Sequence, residues 1–289
     1  MAVARLGSIR AASGFLNVAQ SAVSRRIQAL EHHLGCVLFD RLPNGVMLTE
    51  AGRVLFASGL RLEFEVDGLR SELGALRGLL SGRVRIAAIE SMIPDVLPRA
   101  IARFRDAHPA ITFVVEAVPS VLVAGLIQDG KADIGIGLST KLGPDFHVFS
   151  STHEPLVAVA SPAHRLAKAE WLDLSDLVDC TMVLAPPPSA SRLIFDEACR
   201  ASGIRIAPAV ETNSVELMQR LAAYGGAVTL LLRHAISGAV RTGQLTELGL
   251  SRQLLGGTLD IFAFRDRTLP AAVGKFVTTL QEEITVGPP

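Results

Sequence analysis

Leu55, Leu62, Val66, Leu69, Leu73, Leu76 and Leu80 recur at steps of seven, four, three, four, three and four. That is the a/d spacing of a heptad seam, and it predicts one long helix from Thr49 to Leu80. Thr49 is a good N-cap, although Gly52 follows closely. Arg53 to Leu80 would span roughly 42 Å at about 1.5 Å per residue. Gly59, Gly68, Gly74 and Gly78 each weaken such a helix by about 1 kcal/mol relative to alanine. Pairing with a second helix must therefore stabilise it, and a dimer is expected. The competing reading is a single amphipathic helix packed on its own domain.

The seam divides the chain into a short N-terminal zone and a long C-terminal one. In the first, Ser8 is placed to cap a helix running to Leu16, with Ile9, Ala12 and Leu16 on one face. Asn17 tolerates a tight turn, and a second helix begins near Gln20. Helical spacing predicts that Ala22, Val23, Ile27, Leu30 and Leu34 are buried, with Gly35 as a left-handed cap. Two helices so closely joined form a helix-turn-helix unit. VLFDRLPNGVMLTEAG then reads as two short strands about Pro43, Asn44 and Gly45, where the Asn-Gly pair favours a tight hairpin and hence a wing.

A helix-turn-helix points the first turn of its second helix at base edges in the major groove. Gln20 can offer an amide to adenine, and Arg25 or Arg26 a two-pronged guanidinium to guanine. Ser21 and Ser24 can donate to bases or phosphates, the helix N-terminus attracts a phosphate, and Arg41 stands where a wing meets the neighbouring backbone. The alternative is a solvated basic face in which Arg25 and Arg26 pair with Glu31 or other acids.

Beyond Ser81 and Gly82, which break the long helix, strands and helices alternate. VRIAAI, ITFVVEAV and ADIGIGL read as strands, separated by helices in LPRAIARFRDAH and VLVAGLIQDG. Such a βαβαβ order implies a parallel sheet with right-handed crossovers. A second set follows through PLVAVAS, TMVLAP, RLIFDEACRASG, PAVETN, VELMQRLAAYGG and AVTLLL, and TLDIFAF with AAVGKFVTTLQEEI closes the chain. Two α/β subdomains with a cleft between them are expected.

At 289 residues, 49% hydrophobic and 19% charged, this is a folded chain of about two domains. Lysine and arginine total 28, as do aspartate and glutamate, and that balance leaves room for one locally basic face. Cys36, Cys180 and Cys199 are scattered, which argues against a disulfide framework or a zinc site. MAVARLGSIRAASGFLNVAQ is not a signal peptide, and no apolar run reaches bilayer length, so a cytoplasmic protein with no membrane contact is expected. No nucleophile elbow, Walker loop or H-E-x-x-H occurs, and GIG at 135–137 lacks the third glycine of a dinucleotide site. An enzyme is not expected.

GSIRAASGFLNVAQSAVSRRIQALEHHLGCVLFDRLPNGVMLTEAG resembles the DNA-binding region of the LysR-type transcriptional regulators, through its S-x-x-S-R run, LE..LG, LF.R and LTEAG. RVRIAA, LP.AIARFRDAHP, L..G.ADIGIG, GI.....VET and YGGAVTLLL follow the same family. The resemblance implies an N-terminal all-α winged helix-turn-helix over 1–52 and a dimerising linker helix over 53–80. An α/β effector domain of two Rossmann-like subdomains, similar to periplasmic binding proteins, then spans 81–289. Subdomain I is expected at about 83–157 and 262–289, and subdomain II at about 158–261.

A ligand-responsive, sequence-specific regulator is implied. Its partners would be double-stranded promoter DNA, a small-molecule effector and RNA polymerase, and it would act as a homodimer or homotetramer with no cofactor beyond the effector. Family members also carry a longer first helix than the stub MAVARL, too short to hold alone, so the expected start lies upstream of Met1. The resemblance places effector contacts at Ser91 after the first strand and at Ser120 after the second, and Ser189 and Ser191 in the PPPSASR loop, at the start of a helix in the other subdomain, are further candidates. Hydroxyls and helix N-termini suit a carboxylate, while the plainer alternative is that these serines only cap helices. Arg192 either binds an acid or pairs with Asp196, and Asn213 stands undecided. Two rival readings are a transport solute-binding protein, which has no use for residues 1–80, and a sensor whose truncated winged helix does not bind DNA.

Overall fold

The structure, a computed structural model, describes residues 1–76, 81–139, 141–250 and 255–286. The chain falls into two units, Met1–Asp67 with Asp129–Lys131, and Gly68–Gln128 with Ala132–Pro289. The first holds Ala2–Leu6 (α1), Ile9–Leu16 (α2), Gln20–Leu34 (α3), the hairpin Phe39–Leu42 (β1) and Gly45–Leu48 (β2), and the start of the long helix Glu50–Leu76 (α4).

The expected caps are in place. Ser8 Oγ accepts the Ala11 N–H at 3.2 Å, Asn17 ends α2 at φ 52°, and Gly35 ends α3 at φ 67°. Thr49 Oγ1 accepts the Gly52 N–H at 3.0 Å and donates to the Val37 carbonyl at 2.7 Å, so it caps α4 and ties it to the wing. Val3, Ala12 and Val23 form a small core with Ile9, Ile27, Phe39 and Val46 against it. Beside that core lies a cavity of about 220 Å³ among Val3, Val23, Ile27, Leu38, Leu55 and Phe56.

Two expectations for this unit are corrected. Leu30 and Leu34 are not buried but 44% and 43% exposed, because α3 has 15 residues against eight in α2 and its apolar stripe outruns the core. The hairpin does not turn on Asn-Gly. Leu42 pairs with Gly45, so Pro43 and Asn44 make the turn and Gly45 opens β2 at φ 154°. The glycine serves a close backbone approach instead, since a Cβ there would stand 2.4 Å from the Gly7 carbonyl oxygen. That carbonyl accepts the Val46 N–H at 2.8 Å.

On α4, the seam residues Leu62, Val66, Leu69 and Leu73 are exposed. Leu80 lies outside the described residues.

The second unit opens with Gly82–Ala88 (β3), Val96–Ala107 (α5), Ile111–Ala117 (β4), Ser120–Gln128 (α6) and Ile134–Leu138 (β5). It continues with Phe146–Ala160 (β6), Met182–Leu184 (β7), Ala190–Ala201 (α7), Val210–Glu211 (β8), Val215–Tyr224 (α8), Val228–Leu232 (β9) and Arg233–Arg241 (α9). Thr246–Leu248 (β10), Gly256–Phe264 (β11) and Ala271–Val286 (α10) complete it. The sheet order is β4-β3-β5-β11-β6-β9-β7-β8, with β10 also on β6.

The parallel arrangement expected of the βαβαβ run is present in β3, β4 and β5, while the sheet as a whole is mixed. β3 runs parallel to β4 and β5, and β7 parallel to β8 and β9, as crossover helices require. Two antiparallel strands, β11 and β6, stand between them in the sheet order, and β6 passes from one half into the other. β6 pairs with β11 up to Pro155, then with β9 from Leu156 and β10 from Ala158. β11 is paired with Pro155 from its first residue, Gly256, so all of it lies in the sheet of the first half, ahead of the 261/262 boundary read from the pattern. α5 and α10 cover one face of that half, with Phe104 and Phe276 edge to face at 5.4 Å. The first half of β6 and helix α9 are elements that the hydrophobic pattern did not announce.

Candidate nucleic-acid interface and effector cleft

Helix α3 and the wing carry the six residues singled out for DNA. Gln20, Ser21, Arg25 and Arg26 are exposed on α3, Ser24 is half-buried there, and Arg41 is exposed on β1. Residues 1–52 contain five arginines and three acidic side chains. The acid expected to neutralise the α3 arginines is committed elsewhere. Glu31 Oε1 accepts the N–H groups of Leu38 at 2.8 Å and Phe39 at 3.3 Å, fixing the wing to α3. Among the described residues Arg25, Arg26 and Arg41 form no ion pair; Arg25 Nε only reaches the Ser21 carbonyl at 3.4 Å. Arginines with a structural task nearby do find acids, as Arg5 does with Glu63 at 2.5 Å. The N-cap of α3 is Ala19, which offers no side-chain acceptor; its carbonyl accepts the Ala22 and Val23 N–H groups, and the first two N–H groups of the helix, of Gln20 and Ser21, have no side-chain cap.

In the second unit, Ser91, Ser120, Ser189 and Ser191 all line one cleft of about 140 Å³ between the two halves, and Asn213 lines it with them. Their hydroxyls differ in what they do. Ser120 Oγ accepts the Leu138 N–H at 3.0 Å, joining α6 to β5. Ser189 caps α7 by accepting the Arg192 N–H at 3.2 Å, and stands 3.3 Å from Ser191 Oγ. Capping is thus the structural task of Ser189. Ser91 is different: it is 7% exposed, and its buried Oγ has no partner among the described residues. A buried hydroxyl left without a hydrogen bond is costly, and an incoming polar group removes that cost.

Arg192 resolves to the structural alternative. Its Nε meets Asp196 at 2.9 Å, one Nη meets Glu211 at 2.6 Å and also donates to the Ala185 carbonyl at 3.1 Å. Burial alone would lower its pKa, but the hydrogen bonds and charges of the two carboxylates raise it, so the guanidinium stays charged and occupied.

Glu90 was not among the expected residues. Its Oε1 accepts the N–H of Val215, the first residue of α8, at 3.0 Å across 125 positions of sequence. No local pattern signals such a contact. Glu90 and Val215 line the cleft on one side and a larger cavity of about 650 Å³, which Gln219, Arg220 and Tyr224 also line, on the other. Two more carboxylates from the first half grip α9. Asp95 accepts the Ser237 hydroxyl at 2.9 Å, and the buried Glu154 accepts the His234 N–H at 3.0 Å with the His234 Nδ1 also 3.0 Å away. Burial pushes the Glu154 carboxyl up; His234, and Arg233 beyond it, more than offset this and hold it below the ordinary carboxylate range. The N-cap of α9 is Leu232, so Glu154 supplies the acceptor that the helix's own cap lacks.

Comparison with known proteins gives both units one family. Residues 1–53 match the bacterial regulatory helix-turn-helix protein, lysR family, and residues 77–285 match the LysR substrate binding domain. An uncharacterized HTH-type transcriptional regulator, YfeR of Shigella flexneri, is 32% identical over 206 residues, 70% of this chain and 66% of its own length. The RuBisCO operon transcriptional regulator of Allochromatium vinosum is 26% identical over 266 residues, 92% of this chain and 84% of that protein. The fold is shared with full-length CbnR in complex with its target DNA, at a TM-score of 0.71 and 21% identity, covering 97% of this chain and 96% of CbnR. A helix-turn-helix with uncommitted arginines and a two-lobed α/β unit with a hydroxyl-lined cleft are the two parts of one kind of protein. The chain belongs to the LysR family, the ligand-responsive, DNA-binding transcriptional regulators.

Proposed function

We propose that α3 enters the major groove of promoter DNA with Gln20, Ser21, Ser24, Arg25 and Arg26 toward the bases, and that Arg41 on the wing meets the adjacent phosphates. The observation that carries this reading is the uncommitted charge of Arg25, Arg26 and Arg41 beside a Glu31 already spent on backbone N–H groups. The chain is read as a DNA-binding part over 1–52, a linker helix over 53–80 and an effector part over 81–289. The exposed stripe Leu62, Val66, Leu69 and Leu73 is the face through which two α4 helices pair, giving a homodimer that places two α3 helices on successive half-sites. Dimers of dimers and contact with RNA polymerase follow from the same promoter-bound role. The protein acts in the cytoplasm; among the described residues no helix is long and apolar enough to cross a membrane.

The cleft takes a small-molecule effector, needing no further cofactor. A carboxylate on it would meet Ser120, Ser189 and Ser191 at the N-termini of α6 and α7. Closure of the halves on that molecule changes how the dimers pack and so how the DNA is bent.

A salt-dependent titration against the DNA upstream of the gene tests the first part. Tight binding that falls steeply with salt is expected, because each neutralised phosphate releases a counterion. If the protein binds neither that DNA nor random duplex at low salt, the reading of α3 fails.

A further inference from the structure

Charge in the cleft is asymmetric. Among the described residues no lysine, arginine or histidine lines it, and Glu90 is its one charged side chain. Among the described residues the Glu90 carboxylate makes a single hydrogen bond, through Oε1 to the Val215 N–H, which leaves the other oxygen without a donor. Ser91, next in sequence, has a buried hydroxyl without a partner. Elsewhere in the same cleft stand the hydroxyls of Ser120, Ser189 and Ser191 and the first turns of α6 and α7, where helix dipoles and N–H groups favour negative charge. Between these groups the walls are apolar, with Leu138, Met218, Leu230 and Leu232.

A plain anion entering this space meets Glu90 with no cation among the described residues of the cleft lining to offset it, and a plain cation leaves the two helix N-termini facing nothing. A molecule with one charge of each sign matches both. The cleft volume, about 140 Å³, lies well under the roughly 300–1,000 Å³ of pockets for drug-sized ligands, so the molecule is small.

We propose that the effector is a small zwitterion, an α-amino acid with a short apolar side chain or a close analogue, whose ammonium group is received by Glu90 and Ser91 and whose carboxylate is received by the serines of α6 and α7. Glu90 is then the specificity-determining residue of the cleft. It holds the first N–H of α8 with one oxygen and selects the ligand's cation with the other. This inference rests on the reading of the cleft as the effector site.

The test is calorimetric titration of the full chain with the proteinogenic amino acids, each beside its des-amino acid and its decarboxylated amine. At least one short apolar amino acid is expected to bind, with both partial analogues weaker by about tenfold or more, the size of a lost charge-assisted hydrogen bond. Glu90→Gln keeps an acceptor for the Val215 N–H, so the fold should persist. It is expected to weaken the amino acid by about ten- to a hundredfold while leaving the des-amino acid unchanged or tighter. The proposal is overturned if no amino acid binds, if the des-amino acid binds as tightly as its parent, or if Glu90→Gln leaves their ratio unaltered. Ser91→Leu and Ser191→Leu, each checked for native unfolding, separate this from the site itself. Amino-acid binding that survives both overturns the cleft and the zwitterion together. Binding lost in both but indifferent to the amino group overturns only the ligand class.

Discussion

On α3 and the wing, Arg25, Arg26 and Arg41 are exposed and, among the described residues, form no ion pair, whereas Arg192 is held by Asp196 and Glu211. The same residue type is left uncommitted in one unit and tied down in the other. A surface that meets a polyanion gains from unneutralised cations, and solvent keeps their isolation cheap. On the proposed reading of the cleft, arginines that cannot swing in leave Glu90, Asn213 and the serines as the polar groups that an effector meets. What each unit recognises is, on that reading, set by which of its charges are already spent.

The harshest test of that contrast removes the geometry that makes two reading faces act together. Leu69→Lys with Leu73→Lys, both on the exposed face of α4, should give a monomer by sedimentation and cost operator affinity about a hundredfold or more, the typical gain from linking two sites. Unchanged mass and affinity would show that the seam is not the dimer contact. Next, Arg25→Ala and Arg26→Ala should each cost about 1 to 3 kcal/mol of operator binding if they read bases. An equal loss on random duplex would make them phosphate contacts, and Arg192→Ala should leave DNA binding untouched while lowering the melting temperature.

Gly45→Ala sharpens the contrast on the scaffold side. Its Cβ would press on the Gly7 carbonyl at a strained φ, for a cost of about 2 kcal/mol. Hydrogen exchange should show faster opening at the wing amides and no change at β9.

The smallest effect belongs to Glu154→Gln, about 1 kcal/mol at neutral pH, near the value of one helix cap. The native carboxyl sits below its ordinary pKa, so its contribution is present above the ordinary carboxylate range and is lost as the pH falls through the native value. Denaturation at a series of pH values should find wild type and variant converging in acid. Parallel curves at every pH would show that the charge of Glu154 does not matter.

How far the sequence foretold these arrangements depended on whether the cause was local. As caps, Ser8, Asn17, Gly35 and Thr49 act on backbone within three residues of themselves, and those roles were readable, whereas the bond from Thr49 to the Val37 carbonyl was not. Strands such as Val84 to Ala88 were plain because both faces are buried. The first half of β6, FHVFSSTHE, is largely exposed and shows no apolar run or alternation, so its pairing with β11 left no trace in the residues. Helix α9 begins without a capping side chain, because its acceptor comes from Glu154 some 80 positions earlier. Gly45 was seen as a turn residue when its reason was Gly7, on another element. In the cleft, Ser91 and Ser120 carried a family signature, Ser189 and Ser191 stood at a helix start, and the four fell together, whereas Glu90 acquires its meaning only from Val215.

Strand β6 runs unbroken for 15 residues and changes partners at Pro155 without a loop. Mechanically it is a beam clamped in both lobes, not a pin joint. A strand shared by both halves couples them, so a displacement of one against the other has to bend or twist β6 itself, and the register shift opposite Ile261 and Phe262 marks where its ladder is already interrupted.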